Sequence, residues 1–179
     1  MTRTALMARG LKGAEAPPAG WLHTAVPEGV RLRGLSGEMA ALERLERGCH
    51  QPGHVDRERS LRMIEEGELR RLAAGALLGP LVETASGQAE DSSGQLLGAC
   101  IVVWWASPGF WERAPWVADV CVDASWQGRG VGTALLRRAV AACARLGASR
   151  IGLSVTEGNP ARSLYERLGF TQFGSGRLD

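Results

Sequence analysis

No segment of the chain is apolar for long enough to cross a bilayer as a helix. The longest apolar run, Leu96 to Ala106, is about half of the roughly 20 residues such a helix needs. A strong excess of one charge is also missing. The 21 basic and 19 acidic side chains leave a formal charge of +2 over 179 residues. That balance argues against an electrostatically driven nucleic-acid or membrane binder, which concentrates basic charge. The four cysteines, Cys49, Cys100, Cys121 and Cys143, contain no C-x-x-C pair, so neither a disulfide framework nor a zinc ribbon is indicated. With no signal peptide, a cytoplasmic protein is expected. Lysine occurs once, as Lys12, and tyrosine once, as Tyr165. What remains is 45% apolar and 22% charged, enough to bury a core in one folded domain.

Residues 1–29 hold Pro17, Pro18 and Pro27 with no apolar periodicity, and read as a flexible extension. From Val30 the pattern tightens into a domain over 30–179. Val30, Leu32 and Leu35 predict a short strand. Ser36 can cap a helix with the apolar face Met39, Leu42 and Leu45, and Asp56 can cap a second carrying Leu61, Ile64, Leu69 and Leu72, interrupted by Gly67. Leu81–Thr84 and Leu96–Trp105 read as strands joined by a long polar loop, and Trp116–Val122 as another. Val131, Leu135, Leu136, Ala139, Val140 and Cys143 give the next helix its buried face, and Ile151–Val155 forms a strand. Asn159, Pro160 and Gly169 bracket one more helix. A strand, helix, strand crossover after an antiparallel hairpin requires a mixed sheet, an α/β (α+β) architecture flanked by about four helices.

The most informative residues are Gln127, Gly128, Arg129, Gly130, Val131 and Gly132, between a predicted strand and a predicted helix. Glycines let the backbone turn tightly and approach a ligand, and the free N–H groups of a helix's first turn attract phosphate oxygens. A Walker A loop would need lysine after Gly132, where Thr133 stands. A dinucleotide fingerprint counted from Gly130 would need glycine at Leu135, and counted from Gly128 it meets Thr133. Both are disfavoured, and a glycine-rich connection without a ligand remains the alternative.

The Q-x-x-G-x-G turn after a strand, an alanine- and leucine-rich helix, and then N-P-A-R-S-L-Y-E-R-L-G-F fall in one order. Together they resemble the GCN5-related N-acetyltransferase (GNAT) superfamily over Trp116 to Phe173. The resemblance implies a mixed sheet whose fourth and fifth strands, in the family's numbering, splay apart to admit acetyl-coenzyme A. It implies cofactor binding by Gln127, Gly128, Arg129, Gly130, Val131, Gly132 and Thr133, with the Val122 backbone beside the thioester. Asn159 and Tyr165 match the family's N-x-x-A-x-x-L-Y-E-x-x-G-F pattern, except that the alanine directly follows Pro160. The implied reaction is direct acetyl transfer to a primary amine of a small molecule or protein. A non-catalytic acyl-coenzyme A sensor of the same fold is the alternative, and a homodimer is a further expectation.

Freeing the lone pair of a lysine-like amine near neutral pH costs roughly 4 kcal/mol, so the site needs a base or a proton path. Some relatives carry a glutamate on the strand after the long helix, but Ile151–Val155 contains no carboxylate. Asp119, three residues before Val122, could bind the amine or relay its proton, or could be a polar residue on the sheet surface. Glu83, Glu112 and Glu157 rank below it. By the same resemblance Tyr165 stands at the general-acid position. Trp104, Trp105, Trp111 and Trp116 divide between core and an aromatic acceptor wall, in which Trp111 and Glu112 would bind substrate and Phe110 and Trp111 would cover it from a loop. Cys49, His50 and His54 have no standard metal spacing, and no metal is expected. Only fourteen residues follow Tyr165, so the last strand is expected to be short or missing.

Overall fold

The computed structural model describes residues 2–107 and 111–178. A seven-stranded sheet runs through it. The strands are β1 (Thr2–Gly10), β2 (Arg31–Gly34), β3 (Gly87–Glu90), β4 (Leu96–Ser107), β5 (Trp111–Val122), β6 (Arg150–Thr156) and β7 (Thr171–Leu178). Their order in space is β2-β3-β4-β5-β6-β1-β7. Every neighbouring pair is antiparallel except β5–β6, which the crossover helix makes parallel. Five α-helices accompany the sheet: α1 (Met39–Cys49), α2 (Arg57–Glu65), α3 (Glu68–Ala73), α4 (Val131–Arg145) and α5 (Arg162–Arg167). This is the mixed α/β sheet that the sequence predicts, with one helix more than expected. The extra helix arises at Gly67, whose φ of 72° breaks the run after Asp56 into α2 and α3.

The flexible extension expected over 1–29 does not hold for Thr2–Gly10. β1 lies inside the sheet, bonded to β6 on one side and β7 on the other. Ala5 and Met7 enter the apolar cluster on one face of the sheet, while Leu6 and Ala8 pack against the cluster on the other. A strand covered on both faces reads as a short apolar run rather than an alternation, which is why Ala5–Ala8 gave no periodic signal. The segment between β1 and β2 is tied down as well. Trp21 sits between the guanidinium groups of Arg9 and Arg137, 4.8 and 5.5 Å from its ring.

The last strand, expected to be short or missing, is present as β7, eight residues paired to β1. The hairpin loop is also shorter than the sequence implies. Leu81 makes only an isolated bridge to Val103, and β3 forms over Gly87–Glu90, so the turn is Asp91–Gln95, closed by the Asp91 carboxylate on the N–H groups of Ser93 and Gln95.

Two features of β5 place the site. Its register against β4 steps from Ile101↔Asp119 to Val102↔Val117, so Ala118 is an extra residue, a bulge that re-aims Asp119. Its parallel pairing to β6 consists of Trp116↔Gly152 and Val117↔Leu153, beyond which the strands part. Below the parting, Trp111 and Trp116 meet edge to face at 5.2 Å, with Trp105 4.5 Å from Trp116. Gly152 is required there, because a Cβ on it would lie 2.5 Å from the Trp116 ring.

Candidate active site

Two concavities meet where β5 and β6 part. The larger, about 470 Å³, is a groove rimmed by Val122, Gln127, Gly128, Gly130, Gly132 and Thr133 on one side and by Asn159, Pro160, Ala161, Ser163 and Leu164 on the other. The smaller, about 60 Å³, lies between Val117–Val120 and Leu153–Thr156 and is closed by Asp56, Arg59 and Ser60 from the α2 region. His50, Val120, Asn159 and Tyr165 line both.

The groove has the construction of an anion cradle. Gly128 and Gly130 adopt φ of 74° and 94°, and a Cβ built on either meets nothing within 4 Å, so both face open space. Gly130 also caps α4, and Ala134 N–H donates to its carbonyl, leaving the N–H groups of Val131 to Thr133 without carbonyls ahead of them in the helix. Fifteen residues of aligned peptide dipoles end at this rim. These features fit the pyrophosphate of an acetyl-coenzyme A-type ligand.

Several of the residues expected to bind the cofactor have side chains already engaged within the protein. Gln127 Nε2 donates to the carbonyls of Cys49 (2.6 Å) and Val122 (3.0 Å), so this amide ties the end of α1 to the end of β5. Asn159 is engaged at both ends: Nδ2 donates to Asp56 Oδ2 at 2.6 Å, and Oδ1 accepts the Ala161 N–H at 2.7 Å. It starts the turn leading into α5 as a local cap, although the helix itself begins at Arg162. Arg129 is exposed, with its guanidinium 5.0 Å from the Trp126 ring, and Val131 is buried, so only their backbones are available to the groove.

The proposed acceptor wall is overturned. Trp111 lies on β5 rather than on a loop, is 2% exposed within the aromatic cluster, and lines neither concavity. Glu112 is exposed on the same end of β5 and lines neither. Phe110 lies outside the described residues. Buried aromatics win at this end because the β5–β6 contact needs a packed wedge.

Several functional candidates come from positions to which sequence reasoning assigns another role or none. Asp56 begins α2 but makes no side-chain cap. Instead its buried carboxylate accepts from Thr156 Oγ1 (2.5 Å) and Asn159 Nδ2 (2.6 Å), clasping β6 and the α5 turn. His50 and His54 stack with ring centroids 4.2 Å apart at the mouth of the groove. Burial first, then His54 and more weakly Arg57, push the His50 imidazole below its ordinary value, while Glu46 and Asp56 pull the other way. His50 is therefore a neutral imidazole at pH 7. The signal available in sequence was only a histidine pair in a Gly/Pro loop; its place in the same concavities as Tyr165 is tertiary.

Asp119 faces the small pocket, and its Oδ2 has no hydrogen-bond partner among the described residues. Burial, and next the Glu46 carboxylate, hold Asp119 well above the usual carboxylate range, with Arg59, Cys121 and the Val120 N–H opposing. Glu46 is 1% exposed and its Oε2 is likewise unpartnered. Ligand atoms of Glu46, Cys49 and His50, and of Glu46, Asp119 and Cys121, lie within 4.8 Å of one another, so Glu46 rather than His54 completes the only groupings of metal-ligand type among the described residues. Tyr165 is 6% exposed, and burial, followed by Asp119, Cys100 and Asp56, pushes its phenol above the ordinary value. All four cysteines are buried and free. The hydrogen bond to Cys49, together with burial, holds the Cys121 thiol well above its ordinary value, so the groove offers no thiolate at neutral pH. Among the described residues no helix is long and apolar enough to cross a membrane.

The comparisons with known proteins agree with this architecture. The family model for the acetyltransferase (GNAT) family matches residues 40–170. The chain is 41% identical over 69 residues to an L-amino acid N-acetyltransferase, AaaT, of Escherichia coli strain K12, a match covering 36% of this chain and 43% of that protein. A GCN5-related N-acetyltransferase structure from Sphaerobacter thermophilus superposes with a TM-score of 0.63 at 23% identity, over 97% of this chain and 49% of that one. In both cases the match spans less than half of the relative. Glucosamine-6-phosphate N-acetyltransferase from Arabidopsis thaliana shares the fold at a TM-score of 0.53 and 18% identity, over 85% of this chain and 97% of that one. With 40–170 matched and the strands parting beside a glycine-capped helix, the chain belongs to the GNAT acetyltransferase family.

Proposed function

We propose that the protein transfers an acetyl group from acetyl-coenzyme A to a primary amine by direct attack within a ternary complex. The observation that carries this reading is the meeting of the glycine-rimmed groove and the small polar pocket at His50, Val120, Asn159 and Tyr165. Bound acetyl-coenzyme A supplies an activated thioester; the chain supplies everything else. The N–H groups of the first turn of α4 hold the pyrophosphate, and Gly128 and Gly130 leave room for it. The 60 Å³ pocket has room for about two water-sized groups, so it takes the amino head of the acceptor and leaves its body outside.

Asp119, whose carboxyl is held toward its neutral form by burial and Glu46, offers its unpartnered oxygen in that pocket as a hydrogen-bond acceptor for the ammonium head. His50, neutral at pH 7, takes the ammonium proton on a ring nitrogen, freeing the nitrogen lone pair to attack the thioester carbonyl. The Val122 N–H at the end of β5 is the donor for the oxygen on which charge develops. As the carbon–sulfur bond breaks, Tyr165 donates a hydrogen bond to the departing sulfur, which takes up the surplus proton of the newly acylated nitrogen. Its raised pKa makes it a standing donor rather than a full proton source. The absence of an available thiolate in the groove favours direct transfer over an acyl-enzyme. The L-amino acid N-acetyltransferase relative supports a small amine as acceptor.

The test is release of free thiol from acetyl-coenzyme A with a panel of amines, amino acids first. Turnover with at least one amine is expected. A folded protein that binds acetyl-coenzyme A yet releases no thiol with any amine overturns the proposal in favour of a non-catalytic acyl-coenzyme A-binding module.

A further inference from the structure

Away from the active site, a cavity of about 820 Å³ opens between α4, β2 and the segment that leads from β1 to β2. Four arginines line it, Arg31, Arg33, Arg138 and Arg145, and no carboxylate does among the described residues. Their positive charge is largely uncompensated. Arg33 meets Glu90 at 3.6 Å, outside the lining, with its own side chain 65% exposed. Arg138 donates to the Arg33 carbonyl at 2.8 Å, and Arg31 reaches the Ser92 carbonyl only at 3.5 Å. Arg138 is held in place by a second device. A Cβ on Gly87 would lie 2.0 Å from Arg138 Nη1, so glycine at this point of β3 lets the guanidinium cross the strand.

Most of the rest of the lining is apolar, with Val30 and Ala142 buried and Leu22 and Leu32 half-buried, while His23, Thr24 and Thr84 add polar groups. Arg138, Ala142 and Arg145 follow the spacing of one helix face. The groove is reached by Gly132, Thr133 and Leu136, and the two cavities share no residue.

We propose that this cavity is a second ligand site, for a small amphipathic carboxylate whose anionic head pairs with the arginines and whose apolar body lies along Leu22, Leu32, Val30 and Ala142. The guanidinium fork matches a carboxylate in two hydrogen bonds, and the volume falls in the range of small-molecule pockets, roughly 300–1,000 Å³. A concave, partly apolar wall distinguishes it from a flat basic surface for nucleic acid, which the formal net charge of +2 also disfavours. The assignment is independent of the proposed acetyl transfer.

Isothermal titration of the full chain with octanoate, octan-1-ol and inorganic phosphate tests it. Octanoate is expected to bind at least tenfold more tightly than either probe, because each lacks one half of the recognition, and to weaken as salt is raised. Arg145→Gln and Arg31→Gln, at exposed positions, are each expected to lower octanoate affinity about tenfold while leaving acetyl-coenzyme A affinity unchanged. Arg138→Gln serves as a third variant if it folds. Equal binding of octanoate and octan-1-ol, octanoate binding unaltered in both exposed variants, or no octanoate binding by the folded protein at millimolar concentration would each overturn the proposal.

Discussion

The two halves of β5 differ in what they are bonded to and in what they present. From Trp111 to Val117 the strand is bonded to β4 on one side and, at Trp116 and Val117, to β6 on the other, with its tryptophans in a dry aromatic cluster. From Ala118 to Val122 it keeps β4 but loses β6, and presents Asp119 with an unpartnered oxygen to a polar pocket. The packed half fixes the angle at which the strands separate. The open half leaves Asp119 Oδ2 without a partner among the described residues, facing a pocket that a ligand can enter.

That contrast can be broken at either end. The largest effect is expected at the open end: His50→Gln should lower the turnover number by ~10² to 10⁴, the usual contribution of a proton acceptor. In the native protein kcat/KM should fall as pH drops through the His50 pKa, below the ordinary histidine value, because only the neutral ring accepts a proton. The variant should lose that acid limb, and a pH–rate profile of both proteins checks it. Tyr165→Phe should cost about tenfold to a hundredfold in turnover with both binding constants nearly unchanged, since a hydrogen bond to a charged atom is worth roughly 1.5–3 kcal/mol. Retention of more than half of the native turnover, with chemistry limiting, would remove the hydroxyl from the mechanism.

At the packed end, Gly152→Ala drives a methyl into the Trp116 ring and should destabilise the fold by about 1–3 kcal/mol, read as a fall in Tm. If the wedge sets the gap, the same variant should also weaken acetyl-coenzyme A binding in the fraction that folds. The smallest effect belongs to Gly132→Ala. Its Cβ meets Val122 and Leu164 at ordinary contact distances of 3.5 and 3.6 Å, and its φ is not in the left-handed region, so Tm should hold. Acetyl-coenzyme A affinity should fall severalfold by titration, because the methyl narrows the groove where the ligand enters.

Local chemistry made part of this legible in the sequence. The glycine turn at Gln127–Gly132, the helix after it and the single tyrosine announce themselves within short windows, because turns and caps are decided by neighbours. The residues that finish the site do not. Asp56 reaches Asn159 across 103 positions of chain, and its sequence reading as a cap was reasonable until tertiary contact offered two better donors. The bulge at Ala118 that re-aims Asp119 depends on the facing strand. Trp111 drew a functional reading because an aromatic beside a predicted loop looks like a wall, whereas β5 extends back far enough to bury it. Glu46 sits on the apolar side of α1 among leucines, where periodicity marks only the hydrophobic positions.

The interior position of β1 has a consequence for how the chain is made. Thr4 faces Thr156 on one side and Gly176 on the other, so on leaving the ribosome β1 waits for partners that lie much later in the sequence. At roughly 5–20 residues per second, that wait lasts on the order of 7–30 s. Throughout it, Ala5–Ala8 is a sticky edge with nothing native to join, exposed to other nascent chains. Sheet closure therefore lags far behind the emergence of β1, and aggregation during expression should respond to mutations in β1 more than to equally destabilising ones in the β3–β4 hairpin, whose halves emerge together.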